Sequence, residues 1–396
     1  MNRPLRITLI LLASILLSDS SSTLRAEERV LVRVAILEEV SQARVTIATA
    51  CRLSDLATGK LLGRRPSIRW EEVKSGDAGL WIGDEELPSD AVLVEPEEET
   101  FVRVNARPYR GSLILYRTPN GKLTVVNRID LEAYLVSALP SEVSEWWPLE
   151  TLKAHAVVSR TLVAHRIWVN RNAHFDVTAD TRVHLYGGVP LERDSARRAV
   201  KATEAEVLAY PTSGNLELFY TPFHASCGGH TEDYVELWQG RGDLAPLKGK
   251  ADPYCRNLKH YRWRATLSLK ELEDALSGSM KAAGRVRAME IIERNRSNRV
   301  RSIRIIGTDG IVTLSGRDFR DLVGVNRLKS LNFTVTFLGR EVVFQGFGWG
   351  HGVGLCQWGA YEMARRGKKM DEILSFYFPG AQRRKLQGLP GFAKKD

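Results

Sequence analysis

The sequence predicts an α+β fold, with mixed β-rich units around a central helical pair and a Gly-rich C-terminal block. Three observations lead there. Residues 29–128 carry repeated two-residue alternation of apolar and polar side chains, the period of a half-buried strand. From Asp130 to Ile167 the apolar steps become three and four, the period of a helix. Gly346, Gly348, Gly350, Gly352, Gly354 and Gly359 then crowd one short stretch, which lets a backbone approach something closely.

In chain order, Val30, Val32 and Val34 mark a first strand, and Val45 with Ile47 and Val92 with Val94 continue the pattern. Segments 113–116 and 123–126 flank Asn120-Gly121, a pair that tolerates positive φ and predicts a hairpin. The run Glu95-Pro96-Glu97-Glu98-Glu99 reads as a solvated loop. Asp130 is a cap for a short helix over 131–139, which Pro140 is expected to stop. After a turn over 140–145, Pro148 opens a long helix. Leu149, Leu152, Ala156, Val163 and Ile167 form its apolar stripe, with Lys153 and Arg166 off it. A helix is predicted over 194–203, and Ser268 with Glu271 forms a capping box for another. Ser315-Gly316-Arg317-Asp318 starts a further helix, and 333–337 with 341–344 form a second hairpin turning at Gly339. Helices are expected from Ala360 and around 371–377. The basic tail, with Arg383, Arg384, Lys385, Lys394 and Lys395, is expected to fray.

The 396 residues divide into an export signal over 1–26, a β-rich part over 29–128, a central helical part with a Cys/His region over 129–260, a C-terminal α+β part over 261–385 and a basic tail over 386–396. Arg3 and Arg6 precede the apolar run Ile7 to Leu17, and a polar stretch then ends at Ala26, the order of a secretory signal peptide. The run falls well short of the roughly 20 residues that cross a bilayer, and nothing later is apolar enough. The expected location is therefore exported, in the periplasm or on the cell-wall side of the cytoplasmic membrane, with no stable membrane span. A formal net charge of +10 suits an anionic polymer or a membrane surface. Nucleic acid is excluded as a partner by the compartment. Arg294, Arg296, Arg299, Arg301 and Arg304 read as the solvated face of a β-hairpin.

Three constellations carry chemistry. Glu142 lies in the turn between the two helices, beside Pro140, Trp146 and Trp147, where apolar rings raise a carboxyl pKa towards that of a general acid. Glu145 competes for that role. The stretch Gly346 to Gly354 lacks the Gly-Lys-Ser/Thr ending of a phosphate loop and approaches either a neighbouring strand or a sugar packed by Trp349 and His351. His224, Cys227, His230 and Cys255 have the chemistry of a zinc site, but an exported chain favours the rival, a Cys227–Cys255 disulfide. Cys356 is expected to be a reduced, structural thiol.

At these residues the chain resembles a known family. Tyr134-Leu135, Pro140-Ser141-Glu142, Trp147-Pro148, Glu150, Leu152-Lys153-Ala154, Ala156-Val157 and Arg160-Thr161 look like the core signature of the stage II sporulation protein D family, whose domain is also called the amidase enhancer. Asp176, Asp180-Thr181 and Tyr186-Gly187 resemble its second block, and the stretch from Phe223 to Thr231 with Trp238 its third. Gly348 to Gly354, Gln357-Trp358-Gly359-Ala360, Ile373-Leu374, Tyr377 and Pro379-Gly380 resemble the closing block. The likeness covers roughly residues 29–385. The chain departs from the family pattern at Val143 (commonly Met), His155 and His184 (commonly Gln) and Cys356 (commonly Ser).

The resemblance implies a lytic transglycosylase that cuts peptide-stripped glycan strands between muramic acid and glucosamine, leaving 1,6-anhydro ends, with Glu142 as the acid. Trp147, Lys153, Arg160, Trp349, His351 and Gln357 are expected as substrate contacts, Arg160 having a second reading as a buried structural residue. No cofactor is required for such chemistry. The alternative is a non-catalytic wall-binding module that enhances an N-acetylmuramoyl amidase, with that wall amidase as a partner.

Overall fold

The structure, a computed structural model, describes residues 29–212, 214–238, 244–280 and 283–392. The export signal over 1–26, Lys394 and Lys395 lie outside the described residues.

The alternating N-terminal segments form two sheets. One has seven strands, in the order Val177–Thr178, Leu31–Val40, Leu123–Asp130, Ser112–Arg117, Ala91–Pro96, Cys51–Asp55 and Leu61–Arg65. The other has six and centres on Gln42–Ile47 beside Ile68–Ser75. Val32, Val34, Leu53 and Val92 of the first sheet and Val45, Ile47, Ile68 and Val73 of the second enter a single core. The 112–117/123–130 hairpin forms as predicted, with Gly121 at φ 70.

Seven helices follow among the described residues. Helix α1 spans Leu131–Glu142, and the Asp130 carboxylate accepts from the Ala133 N–H at 3.1 Å, as a cap should. Pro140 does not stop it. Only one backbone bond is forfeited so near the end, and the Val143 N–H still reaches the Leu139 carbonyl. The helix therefore ends on Glu142. Helix α2, Leu149–Val169, is not amphipathic in the expected way. From Thr151 to Ala164 every residue but Lys153 is buried, because the helix lies between two cores, and Leu149 is exposed. Leu152, Ala156 and Val163 face the sheets, whereas Ala154, Val157 and Val158 face the C-terminal core.

Helices α3 (Asp194–Ala202), α4 (Leu269–Met280) and α5 (Gly316–Val323) match the sequence signals, with the Ser268/Glu271 capping box and the Ser315 cap both formed. Residues 262–347 build two three-stranded sheets with α4 and α5 around a core of their own. Arg299 departs from its solvated reading: it is fully buried and donates to the carbonyls of Cys227 and His230. Arg301 and Arg304 are at the surface, paired with Glu236 and Glu290. Helices α6 (Gln357–Arg365) and α7 (Met370–Tyr377) then pack on α2. The expected fraying does not reach Arg383: Gln382–Lys385 pairs with the strand that begins at Glu206, and Leu386 and Leu389 enter the first core.

The Gly-rich stretch meets protein. Phe223–His224 pairs in parallel with Leu355–Cys356, and Ser226 bridges Trp349. A Cβ on Gly354 would sit 2.0 Å from the Pro222 carbonyl oxygen, and one on Gly348 2.6 Å from that of Ser226. The backbone of the stretch thus approaches neighbouring strands, the first of the two readings.

Candidate active site

Glu142 owes its position to three segments. Helix α1 carries it at its last residue, the Leu185 N–H bonds its carboxylate, and Gln357 at the start of α6 donates to its backbone carbonyl at 3.3 Å. Burial pushes its carboxyl up to about 7, and the Leu185 N–H offsets only part of that. The acid is thus substantially protonated near neutral pH.

Beneath it runs a buried polar chain. The Gln357 side-chain nitrogen lies 3.1 Å from His155 Nε2, His155 Nδ1 3.1 Å from Ser159 Oγ, Ser159 Oγ 3.2 Å from His184 Nε2, and His184 Nδ1 3.1 Å from the Tyr134 hydroxyl. The amide of Gln357 donates, so His155 Nε2 accepts and its Nδ1 carries the proton. The Ser159 hydroxyl then donates to His184 Nε2, and His184 Nδ1–H donates to Tyr134. Both rings must be neutral for this order. Burial drives them there, lowering His155 to about 3 and His184 to about 4. The two places where Gln is usual are therefore one feature, two histidines joined through Ser159. The i, i+4 spacing of His155 and Ser159 was a visible signal, but nothing in the sequence joined them to His184. Ser159→Ala would strand two buried imidazole nitrogens and is expected to cost about 1–3 kcal/mol. Chemical denaturation measures this, and an unchanged midpoint would show that the chain contributes nothing.

The other expected site residues divide. Trp147 is half-buried, its ring centroid 5.0 Å from Trp358 and 5.1 Å from Tyr361. Trp358 continues to His260 at 6.2 Å, and His260 to Trp349 at 4.4 Å, with the Lys329 ammonium 4.4 Å from the Trp349 ring centroid. These half-buried rings form one aromatic track beside Gln357 and Glu142. Trp358 was visible only as part of a motif, and Tyr361, His260 and Lys329 were missed, because the track exists only once four segments meet. Lys153 pairs with Glu150 at 2.9 Å. His351 packs its ring on His224 and Trp238 and accepts from the Val353 N–H, and burial lowers it to about 4.

Arg160 follows its structural reading. It is fully buried, makes a two-pronged contact with Glu132 at 2.7 and 2.6 Å, and also donates to the Val200 and Glu206 carbonyls. Burial puts it out of reach of a glycan. Glu145 turns towards Arg193, at 3.8 Å, and so leaves Glu142 alone at the helix end. A wide cleft of about 1340 Å³ between Glu95, Arg128 and Glu192 lies apart from Glu142, with Glu95 paired to Arg128 and Glu192 to Arg110.

The cysteine region differs from the expected His/Cys set. The His224 Nδ1 bonds the Val353 carbonyl and His230 Nδ1 that of Thr231. The groups that converge are Cys227, Asp252, Cys255 and Cys356, all buried. The sulfurs of Cys227 and Cys255 are 3.3 Å apart and unbonded.

The fold and site define a mixed α+β protein that sets one protonatable acid at a helix end beside an aromatic surface. Residues 119–210 match the Stage II sporulation protein family, and residues 247–354 match a domain of unknown function. An uncharacterised protein of Brachyspira hyodysenteriae is 34% identical over 303 residues, 76% of this chain and 78% of that one. Stage II sporulation protein D of Bacillus subtilis is 26% identical over 359 residues, 87% of this chain and 96% of that one. A Bacillus subtilis protein named Amidase enhancer is 24% identical over 295 residues, 62% of this chain and 39% of that one. The chain belongs to the stage II sporulation protein D family. No helix among the described residues is long and apolar enough to cross a membrane.

Proposed function

We propose that this protein is an exported lytic transglycosylase that cleaves peptide-stripped glycan strands of peptidoglycan. The observation that carries the reading is Glu142, a half-buried acid held up to about 7, whose backbone carbonyl accepts from Gln357, the neighbour of Trp358 in the aromatic track. Aromatic faces suit sugar rings, and the half-buried Trp147, Trp358 and Trp349 offer them in a row. The Lys329 ammonium and the net positive charge suit the lactyl carboxylates that stripping exposes.

In this mechanism Glu142 gives its proton to the glycosidic oxygen between muramic acid and glucosamine, and the C1–O bond breaks. The muramic C1 becomes oxocarbenium-like. The Glu142 carboxylate then takes the proton of the same sugar's 6-hydroxyl, whose oxygen bonds C1 and closes the 1,6-anhydro ring. The acid ends as it began. One residue serves both steps, unlike the paired carboxylates of ordinary glycoside hydrolases, and a pKa close to neutral suits both roles. Tyr134, whose phenol burial pushes far up, remains a neutral dipole near the acid.

Product analysis on purified stripped strands tests the reading. Anhydro ends support it, and reducing ends without anhydro rings would make the enzyme a hydrolase. Glycan binding with no cleavage would leave the module that enhances a wall amidase, a role that one relative's name carries.

A further inference from the structure

We propose that Cys227, Asp252, Cys255 and Cys356 bind one zinc ion, at a site apart from Glu142. The four donor atoms all lie within 4.8 Å of one another and come from buried residues. Cys227 Sγ is 3.3 Å from Cys255 Sγ and 3.2 Å from Asp252 Oδ2. Tetrahedral zinc, with bonds of about 2.0–2.3 Å, places its ligand atoms roughly 3.3–3.8 Å apart, close to the Cys227–Cys255 and Cys227–Asp252 separations, and donors up to 4.8 Å apart need to close in by about 1 Å at most on binding. Three thiolates and one carboxylate favour zinc over the hard cations calcium and magnesium.

The surroundings are those of a thiolate site. The Cys227 and Gly359 N–H groups both donate to Cys356 Sγ, at 3.3 and 3.4 Å, and Cys356 caps the start of α6. The Tyr377 hydroxyl donates to Asp252 Oδ2 at 2.9 Å and fixes that carboxylate, as partners behind metal ligands do. The buried Arg299 guanidinium, bonded to the Cys227 carbonyl at 2.9 Å, offsets part of the negative charge. On binding, each of the three thiols gives up its proton to solvent. A Cys227–Cys255 disulfide would instead use two of the four donors and leave Asp252 and Cys356 with only the hydrogen bonds they already accept from Tyr377, Tyr254 and the Cys227 and Gly359 N–H groups.

The ligands come from the two stretches that flank residues 262–347, so the ion would tie the exit and return of that segment together. Cys356 also precedes Gln357, which holds Glu142. This revises the expectation that Cys356 is merely a well-packed thiol.

Metal analysis of the purified full-length protein, with thiol titration in denaturant, tests the site. About one zinc per chain is expected, with all four cysteines titrating as thiols once a chelator is added. Cobalt in place of zinc should give a sulfur-to-metal charge-transfer band. Cys356→Ser should weaken that band and the retention of zinc. Tyr377→Phe, which keeps the ring, should lower zinc affinity by roughly 10–100-fold while the far-ultraviolet spectrum stays native. Two thiols titrating without reductant and four with it, in a metal-free protein, would replace the site by the disulfide. Four thiols with no zinc or cobalt uptake would also overturn it.

Discussion

Glu142→Gln is expected to fold, to retain binding of stripped glycan, and to release no 1,6-anhydro products. Gln keeps the shape and the Leu185 contact but has no proton to give, and general acid–base help is worth roughly 10²–10⁴-fold. Glu145→Gln should keep most activity, because that carboxylate faces Arg193. Turnover in the wild type should fall as pH rises through about 7, where Glu142 loses its proton. The same substitution should alter stability with a definite sign. The folded acid is raised from 4.5 to about 7, so between those values the native state holds a proton that the unfolded chain releases. Wild-type stability is therefore eroded as pH rises across that window, by on the order of 3 kcal/mol at its top. Glu142→Gln escapes this loss and should exceed wild type in stability at pH 8 but not at pH 4. Equal pH dependence in the two proteins would mean that the carboxyl is not shielded from solvent as described.

Arg160→Leu should destabilise by about 3–5 kcal/mol, the usual result of removing one partner from a buried ion pair. The guanidinium joins α2 to Glu132 of α1 and to the carbonyls around α3, so its loss leaves several groups without partners. Urea denaturation measures the change. Adding Glu132→Leu should recover part of it, because replacing both partners is milder than breaking the pair. A loss under about 1 kcal/mol, as for an exposed pair, would contradict the structural role.

Much of this architecture was legible because local chemistry decides it. Asp130, Ser268 and Ser315 cap helices where their side chains reach backbone N–H groups, and Asn120-Gly121 turns a hairpin between alternating strands. Glu142 stood out as an acid among apolar neighbours. What was not legible depended on distant segments. Helix α2 has no clean stripe because it is covered from two directions. Arg299 looks like its surface neighbours in sequence, yet only it turns under Cys227. Cys356 meets Cys227 across a sequence separation of 129, and no spacing rule reaches that far. Pro140 misled because a helix tolerates proline where few backbone bonds remain to lose.

The doubly covered helix α2 also bears on how the molecule comes apart. A helix with one apolar face can peel away and leave its support standing. Here the sheets and the C-terminal helices both rest on the same rod, so releasing either one exposes half of its buried surface. The two halves are panels fixed to a common beam, and they are expected to come down together under heat or denaturant, with residues 262–347 on a core of their own. The acid at the tip of α1 is held to that beam through Gln357 and His155. It keeps its place for as long as the whole body stays assembled.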